Sequence, residues 1–287
     1  MKSAAFLGLG VMGGGMAARL IEAGWALDVW NRRRDRAASL VARGARLAAS
    51  PRDAAASADV VISMVADDEA SRAIWVGDEG ALAAARPGTI LLESSTVSPA
   101  WIAELSAAAS RRGCDLLDAP VTGSRSHAAS GQLLFLVGGD ARVFERAQPV
   151  FAAMGRDAVH LGPTGSGARL KLVNNFLCAV QAAALAEAVA AIEKSGLDIP
   201  KALQILMDGA PGSPLCKAIA PRMMTRDYAV NFALALMRKD LAYAMAEANR
   251  LGLSLETAAA ARDRYDQAIA AGLGDRDFSA VVEPLRT

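Results

Sequence analysis

The sequence predicts a doubly wound α/β domain joined by a long helix to an all-α C-terminal domain, and three observations carry that expectation. Short apolar runs alternate with helical patterns as far as about Pro163, the rhythm of a sheet covered by helices on both faces. The stretch Asp59-Val60-Val61-Ile62-Ser63-Met64 is nearly all apolar rather than alternating, as a parallel strand buried on both faces must be. Beyond Pro163 only helical periodicities remain.

In order, residues 3–8 read as the first strand, and Met12, Met16 and Leu20 then recur at helical spacing until Gly24 ends the helix. Residues 27–31 form a second strand and 36–43 a second helix, stopped by Gly44. After the 59–64 strand, residues 89–93, 114–119 and 133–137 supply further strands. Residues 165–196 hold one helical segment of nearly 30 residues, on the order of 45 Å long. Helical patterns follow at 200–207, 215–224, 237–250 and 256–271. The expected organisation is a sheet domain at 1–163, a long interdomain helix at 164–194 and an all-α domain at 195–287.

Composition excludes several classes of function. The 31 Lys and Arg nearly cancel the 30 Asp and Glu, so no global field recruits nucleic acid or an anionic membrane. Cys114, Cys178 and Cys216 sit in apolar runs without a CxxC, which fits core residues in a reducing cytoplasm. The opening apolar run is cut at once by glycines and followed by Arg19 and Glu22, unlike a signal peptide. The most apolar segment, 170–192, carries Lys171, Asn174, Asn175, Gln181 and Glu187, which points to a buried helix rather than a membrane span. That helix is apolar on nearly all sides (Leu172, Val173, Phe176, Leu177, Val180, Leu185, Val189, Ile192), more than a small second domain can cover. A homodimer or homotetramer is therefore expected, soluble and cytoplasmic.

Gly8-Leu9-Gly10-Val11-Met12-Gly13 is a GxGxxG that follows a strand and opens a helix, the context that gives this otherwise weak pattern meaning. The first glycine permits a tight turn, the second lets a pyrophosphate approach the backbone, and the third allows close helix–strand packing. The helix N-terminus offers free N–H groups to the phosphates. The first domain is thus expected to be of Rossmann type and to bind a dinucleotide. An NAD enzyme places Asp or Glu at the end of the second strand, whereas this chain has Asn31 followed by Arg32, Arg33 and Arg34. Arg can hold a 2′-phosphate through a fork of donors, so NADP is favoured over NAD, with a solvated basic turn as the alternative. Asp35 falls at the start of the next helix, where it fits a cap.

Lys171 and Asn175 lie four apart at the start of the long apolar helix and share a face. A lysine in so apolar a segment is costly unless its charge is used or paired. On spacing alone, a snorkelling or salt-bridged lysine stands beside a catalytic one.

Several further stretches resemble the β-hydroxyacid dehydrogenase family. They are the GLGxMGxxM form of residues 8–16, Ser95-Thr96-Val97-Ser98-Pro99, and Asp118-Ala119-Pro120-Val121-Thr122-Gly123-Ser124. Residues 165–175 match the family's GxGxxxKxxxN, and Phe232 with Lys239-Asp240-Leu241 its FxLxLxxKDL. The motifs occur in family order across nearly the whole chain. Asn31-Arg32 and the Gly-Ser ending of the 118–124 motif are most similar to the NADP-dependent glyoxylate/succinic semialdehyde reductase group.

The resemblance implies the following roles. Lys171 is the acid/base, Thr122 and Gly123 bind a substrate carboxylate, and Asn175 positions substrate. Thr96 lies beside the nicotinamide ribose, and Met64 and Val65 pack near the cofactor. Lys239 and Asp240 close the site from the second domain, and Phe232 lines the pocket. Two departures stand out: Thr122 where Ser is commoner, and Ser124 where many members have Gly. Arg125 is read as a solvated loop residue, with contact to a second substrate carboxylate as the alternative.

The implied reaction interconverts a small carboxylate-bearing aldehyde and its hydroxy acid. In reduction the oxygen gains negative charge, which a lysine ammonium stabilises and then protonates. Oxidation needs Lys171 neutral, far below its reference pKa of ~10.4. Glyoxylate, succinic semialdehyde, tartronate semialdehyde and methylmalonate semialdehyde all fit. The rivals are a 3-hydroxyisobutyrate dehydrogenase, an imine reductase and a non-catalytic NADP-binding interaction module; Lys171 argues against the last two. No metal site is expected, because His127 and His160 lack spaced ligand partners. Nor is there a P-loop or a GxSxG elbow.

Overall fold

The computed structural model describes residues 2–286. They form two compact units, one ending at Lys171 and the other beginning at Leu172.

The first unit is built on a nine-stranded sheet. Strands β1 (Ser3–Leu7), β2 (Ala26–Trp30), β3 (Arg46–Leu47), β4 (Val60–Ser63), β5 (Ile90–Glu93) and β6 (Asp115–Asp118) are parallel and lie in the order 3-2-1-4-5-6. This is the Rossmann order, with its reversal between β1 and β4. The sheet continues through β8 (Leu133–Gly138), which runs antiparallel to β6 and to β7 (Val121–Thr122) and parallel to β9 (Gly155–Gly162). Helices α1 (Gly13–Glu22), α2 (Ala38–Val41), α3 (Pro51–Ala55), α4 (Asp68–Val76), α5 (Pro99–Arg111), α6 (Arg125–Ser130) and α7 (Ala141–Met154) cover the two faces.

The two-sided burial expected of the central strands is present. Ala4 and Phe6 of β1 join a core with Met16 and Leu20 of α1 and Val150 and Phe151 of α7. Their neighbours Ala5 and Leu7 join the opposite core, with Trp75 of α4 and Trp101 and Leu105 of α5. Every residue of β4 and β5 is buried.

Three strands have no counterpart in the sequence reading. β3 and β7 are two residues each, too short for periodicity. β9 has no fully buried residue and carries Arg156, Asp157 and His160, so it lacks the apolar run of a central strand. The helix expected at 36–43 is shorter and split, a 3₁₀ turn at Arg34–Ala37 running into the four-residue α2.

Helix α8 (Ser166–Ser195) carries the chain across the boundary between the units. The second unit adds α9 (Ile199–Asp208), α10 (Pro214–Thr225), α11 (Leu234–Arg250) and α12 (Glu256–Ala270), within two or three residues of the expected patterns. A 3₁₀ segment at Phe278–Leu285, with no counterpart in the sequence reading, inserts Phe278, Ala280, Val281 and Val282 into the helical core. The buried Asp277 pins it, accepting hydrogen bonds from Asn231 N (2.9 Å), Phe232 N (3.2 Å) and Ser279 Oγ (2.7 Å).

By length and composition α8 could cross a membrane, but half of its most apolar window is buried against protein. Ala179, Ala182, Leu185, Ala186 and Val189 face the helical core. Leu170, Val173 and Leu177, at spacings of three and four, are 41%, 51% and 51% exposed. Cys114, Cys178 and Cys216 are free thiols, two of them buried.

Candidate active site

The Gly-rich turn sits where the strand order reverses. Gly8, with φ of 101°, follows β1 so closely against β4 that a Cβ on it would lie 2.4 Å from Met64 O. A Cβ on Gly13 would lie 2.0 Å from Gly8 O, so the turn closes only without side chains at both positions. Gly10 by contrast has open space before it. Leu9 is buried, Val11 exposed and Met12 half-buried. No side chain caps α1 and no acid occupies its first turn. Free N–H groups, an open approach at Gly10 and absent negative charge fit a diphosphate.

Asn31 does structural work here. Its Oδ1 accepts a hydrogen bond from Leu9 N at 2.8 Å and its Nδ2 donates to Arg33 O at 2.8 Å, tying the Gly-rich turn to the end of β2. Arg32, Arg33 and Arg34 are exposed. Arg34 donates to Ala48 O at 3.4 Å. Asp35 is exposed as well, and no side chain caps the 3₁₀ turn that contains it.

Met64 and Val65 extend β4, and Val65 N donates to Ser95 Oγ at 2.8 Å, which holds them beside the loop after β5. In that loop Ser94, Ser95 and Val97 are buried while Thr96 is half-exposed, so Thr96 is the side chain turned outward. Ser98 N and Oγ donate to Asp68 at 2.8 and 2.6 Å, fixing the far end of the loop.

Thr122 ends β7 half-buried, and Gly123 follows it exposed, with φ of 130°. A Cβ on Gly123 would meet Leu133 Cδ2 at 2.9 Å. Ser124, at the position where the family often has Gly, hydrogen-bonds through Oγ and N to His127 Nδ1 at 2.8 and 3.1 Å and so organises the start of α6. Arg125 is exposed at the first position of that helix. α6 in turn packs against Gly15 of α1, where a Cβ would lie 3.0 Å from Ala129 N. The loop of Thr122 to Ser124 and helix α1 are thereby held together.

A residue without an individual role in the sequence reading holds the start of the helix that bears Lys171. Asp118, fully buried at the end of β6, accepts hydrogen bonds from Gly165 N at 2.7 Å and Ala168 N at 2.8 Å. These are donors that the N-terminus of α8 would otherwise leave unsatisfied. Burial pushes the Asp118 carboxyl above the usual carboxylate range, and the N–H groups of Gly165, Ala168 and Gly167 oppose that shift. One carboxylate thus bolts the strand that leads into Thr122 and Gly123 to the helix end that bears Lys171, one turn beyond Ala168.

In the second unit Asn175 is buried and donates through Nδ2 to Asp240 Oδ2 at 2.6 Å. Asn174 Nδ2 donates to Asn175 Oδ1 at 2.9 Å, and Lys239 Nζ lies 2.9 Å from Asp240 Oδ1 and 4.9 Å from the Tyr243 ring centroid. Asn175, Lys239 and Asp240 are brought together as one polar thread. Phe232 packs instead edge-on to Phe278, at 6.1 Å between centroids. Among the described residues no group of His, Cys, Asp and Glu is arranged to hold a metal ion.

Comparison with known proteins decides between the families that share this architecture. The profile described as the NAD binding domain of 6-phosphogluconate dehydrogenase matches residues 3–162. The profile described as NAD-binding of NADP-dependent 3-hydroxyisobutyrate dehydrogenase matches residues 165–285. The chain belongs to the β-hydroxyacid dehydrogenase family. It is 40% identical to an NAD-dependent L-serine dehydrogenase of Pseudomonas aeruginosa, covering 98% of this chain and 97% of that one. It is 36% identical to glyoxylate/succinic semialdehyde reductase 2 of Arabidopsis thaliana, covering 99% of this chain and 79% of the plant protein. A structure of Mycobacterium tuberculosis 3-hydroxyisobutyrate dehydrogenase with L-serine matches with a TM-score of 0.90 and 36% identity over 100% of both chains. As a family member the chain is an NAD(P)-dependent oxidoreductase of small hydroxy acids or aldehydes.

Asp118→Asn should leave one of the two helix N–H groups facing an amide N–H₂ instead of an oxygen. Stability should fall by about 1–3 kcal/mol, read by urea denaturation, and turnover should fall more than coenzyme affinity does. Unchanged stability and turnover would show that α8 is held by other contacts.

Proposed function

We propose that the chain is an NADP-preferring reductase that interconverts a small carboxylate-bearing aldehyde and its hydroxy acid, with Lys171 as acid/base. The observation that carries this reading is the Asp118 clamp, which ties the strand leading to Thr122 and Gly123 to the helix turn before Lys171. A carboxylate held by the Thr122 hydroxyl and by backbone N–H groups orients the substrate. The nicotinamide supplies the hydride when bound. The Lys171 ammonium stabilises the charge developing on the substrate oxygen and delivers the proton there. The family resemblance assigns substrate positioning to Asn175, which Asp240 holds within the second unit with Lys239 beside it.

Preference for NADP is supported by the missing acid at the end of β2 and by the exposed guanidinium groups of Arg32 and Arg33. A second reading is favoured by the likeness to an NAD-dependent L-serine dehydrogenase. L-serine is itself a small 3-hydroxy carboxylate, so the same site would run in the oxidative direction with Lys171 neutral.

Purified protein assayed with NADPH and NADH against glyoxylate, succinic, tartronate and methylmalonate semialdehydes, and with NADP⁺ and NAD⁺ against 3-hydroxyisobutyrate and L-serine, should turn over one small carboxylate well. Lys171→Ala should lower kcat ~10²–10⁴-fold with coenzyme Kd unchanged; full activity in that variant would remove the acid/base role. Arg32→Ala with Arg33→Ala should raise the Kd for NADPH ~10-fold or more and leave NADH binding untouched. Equal effects on both coenzymes would argue for NAD.

We also infer that a second copy of the chain covers Leu170, Val173 and Leu177, making a homodimer or homotetramer, and that the three free thiols reflect a cytoplasmic protein. Light scattering should give a multiple of the 29.7 kDa chain mass. Val173→Glu with Leu177→Glu should yield monomer; a wild-type monomer would overturn the inference.

A further inference from the structure

Beneath the loops that follow β4 and β5 lies a carboxylate that the proposed chemistry does not use. Glu93 is fully buried at the end of β5. Its Oε1 accepts a hydrogen bond from Ser95 N at 2.8 Å, and its Oε2 accepts from Trp75 Nε1 at 2.8 Å and from Ser71 Oγ. Ser71 Oγ in turn accepts from Trp101 Nε1 at 2.7 Å, so its own proton is directed to Glu93. Ser95, whose N–H is held by Glu93, uses its Oγ to accept from Val65 N at 2.8 Å. One side chain therefore sets the relation of α4, α5, the Met64–Val65 turn and the Ser94–Thr96 loop.

The arrangement demands a carboxylate. Both oxygens face donors, and neither neighbouring N–H has another acceptor in the network. A glutamine would turn its own N–H₂ against one of those N–H groups whichever way the amide is flipped. A buried network of this kind costs heavily when half satisfied, so satisfying it completely fixes the geometry around it.

The position of the network gives it a task. In this strand order the dinucleotide lies across the reversal between β1 and β4, with its phosphates at the β1–α1 turn. Asn31 and the arginines after β2 border one half of that crevice; the other half lies over the ends of β4, β5 and β6. There Met64, Val65 and Thr96 are half-buried, and these are the segments that Glu93 and Ser95 hold.

We propose that Glu93 is a positioning residue for the nicotinamide half of the coenzyme, fixing the 64–65 and 94–96 turns that would seat it and placing a buried negative charge behind those turns. The oxidised nicotinamide is cationic and the reduced one is neutral. A buried carboxylate behind the turns that would seat the nicotinamide would favour the oxidised form in a medium where charge is weakly screened. The inference rests on the dinucleotide seat of the proposed function, and not on Lys171, the substrate or the preference for NADP.

The test is coenzyme binding, measured by fluorescence and calorimetry with both redox forms of NADP and of NAD, so that a wrong coenzyme preference shows up separately. Glu93→Gln should raise Kd for both redox forms, and that of the oxidised form by a further ~3–10-fold. Ser95→Ala, which removes only the acceptor for Val65 N–H, should raise both Kd values without changing their ratio. Leu105→Ala, a buried α5 position outside the network, should lower Tm while the ratio of the two Kd values stays at the wild-type figure. If Glu93→Gln loses Tm as Leu105→Ala does and keeps both Kd values within twofold of wild type, the network serves only the fold and the proposal is overturned. Should Glu93→Gln fail to fold, Ser95→Ala decides: unaltered Kd values in that variant overturn the proposal equally.

Discussion

The first unit depends on how the buried Asp118 carboxylate is satisfied. A charge taken out of water is tolerable only when donors surround it, and the start of α8 supplies backbone N–H groups for the purpose. The demand propagates into the neighbouring sequence. A Cβ on Gly138 would stand 2.6 Å from the carboxylate, and one on Gly167 would lie 2.2 Å from Leu136 O and 3.0 Å from Asp118 Oδ2. The glycine that ends β8 and the one in the first turn of α8 are thus the room in which the carboxylate meets the helix.

A second constraint acts at the reversal of strand order. Gly8 and Gly13 close the turn against Met64 O and against each other, and Asn31 ties it to β2. The same half of the molecule carries Glu93 in register with Asp118 on the adjacent strand. Two parallel strands buried along nearly their whole length each end in an acid, and each acid organises a different loop. The helical unit repeats the device on its own scale, with Asp240 holding Asn175 and Asp277 holding the turn before the last 3₁₀ segment.

The pattern of the sequence carried most of this architecture. Central strands were legible because burial on both faces leaves a continuous apolar run, and the helices of the second unit because their apolar stripes recur at 3.6 residues. β9 was not, since a strand with exposed and charged residues has no such run. The Phe278–Leu285 segment was not either, because a 3₁₀ stretch has neither period. At the site, the Gly-rich turn was readable from its glycines, and the assignments of Thr96, Thr122 and Lys171 came from resemblance. No sequence pattern assigns Asp118 or Glu93 its individual role, because a carboxylate's role depends on which donors the fold brings to it. A signal was nonetheless there: Ile-Leu-Leu-Glu and Leu-Leu-Asp are apolar strands closed by a single acid.

The exposure of the arginines after β2 bears on how such enzymes diverge. Arg32 and Arg33 stand in solvent just beyond Asn31, whose amide helps to secure the turn. Drift at those two positions has no bearing on packing, whereas drift at Gly8, Gly13 or Asn31 strikes the scaffold itself. On the proposed reading of Arg32 and Arg33 as holders of the 2′-phosphate, a lineage could exchange one coenzyme for the other through a few steps silent in foldability, and relatives with opposite coenzyme habits are what neutral wandering across such a surface would leave behind.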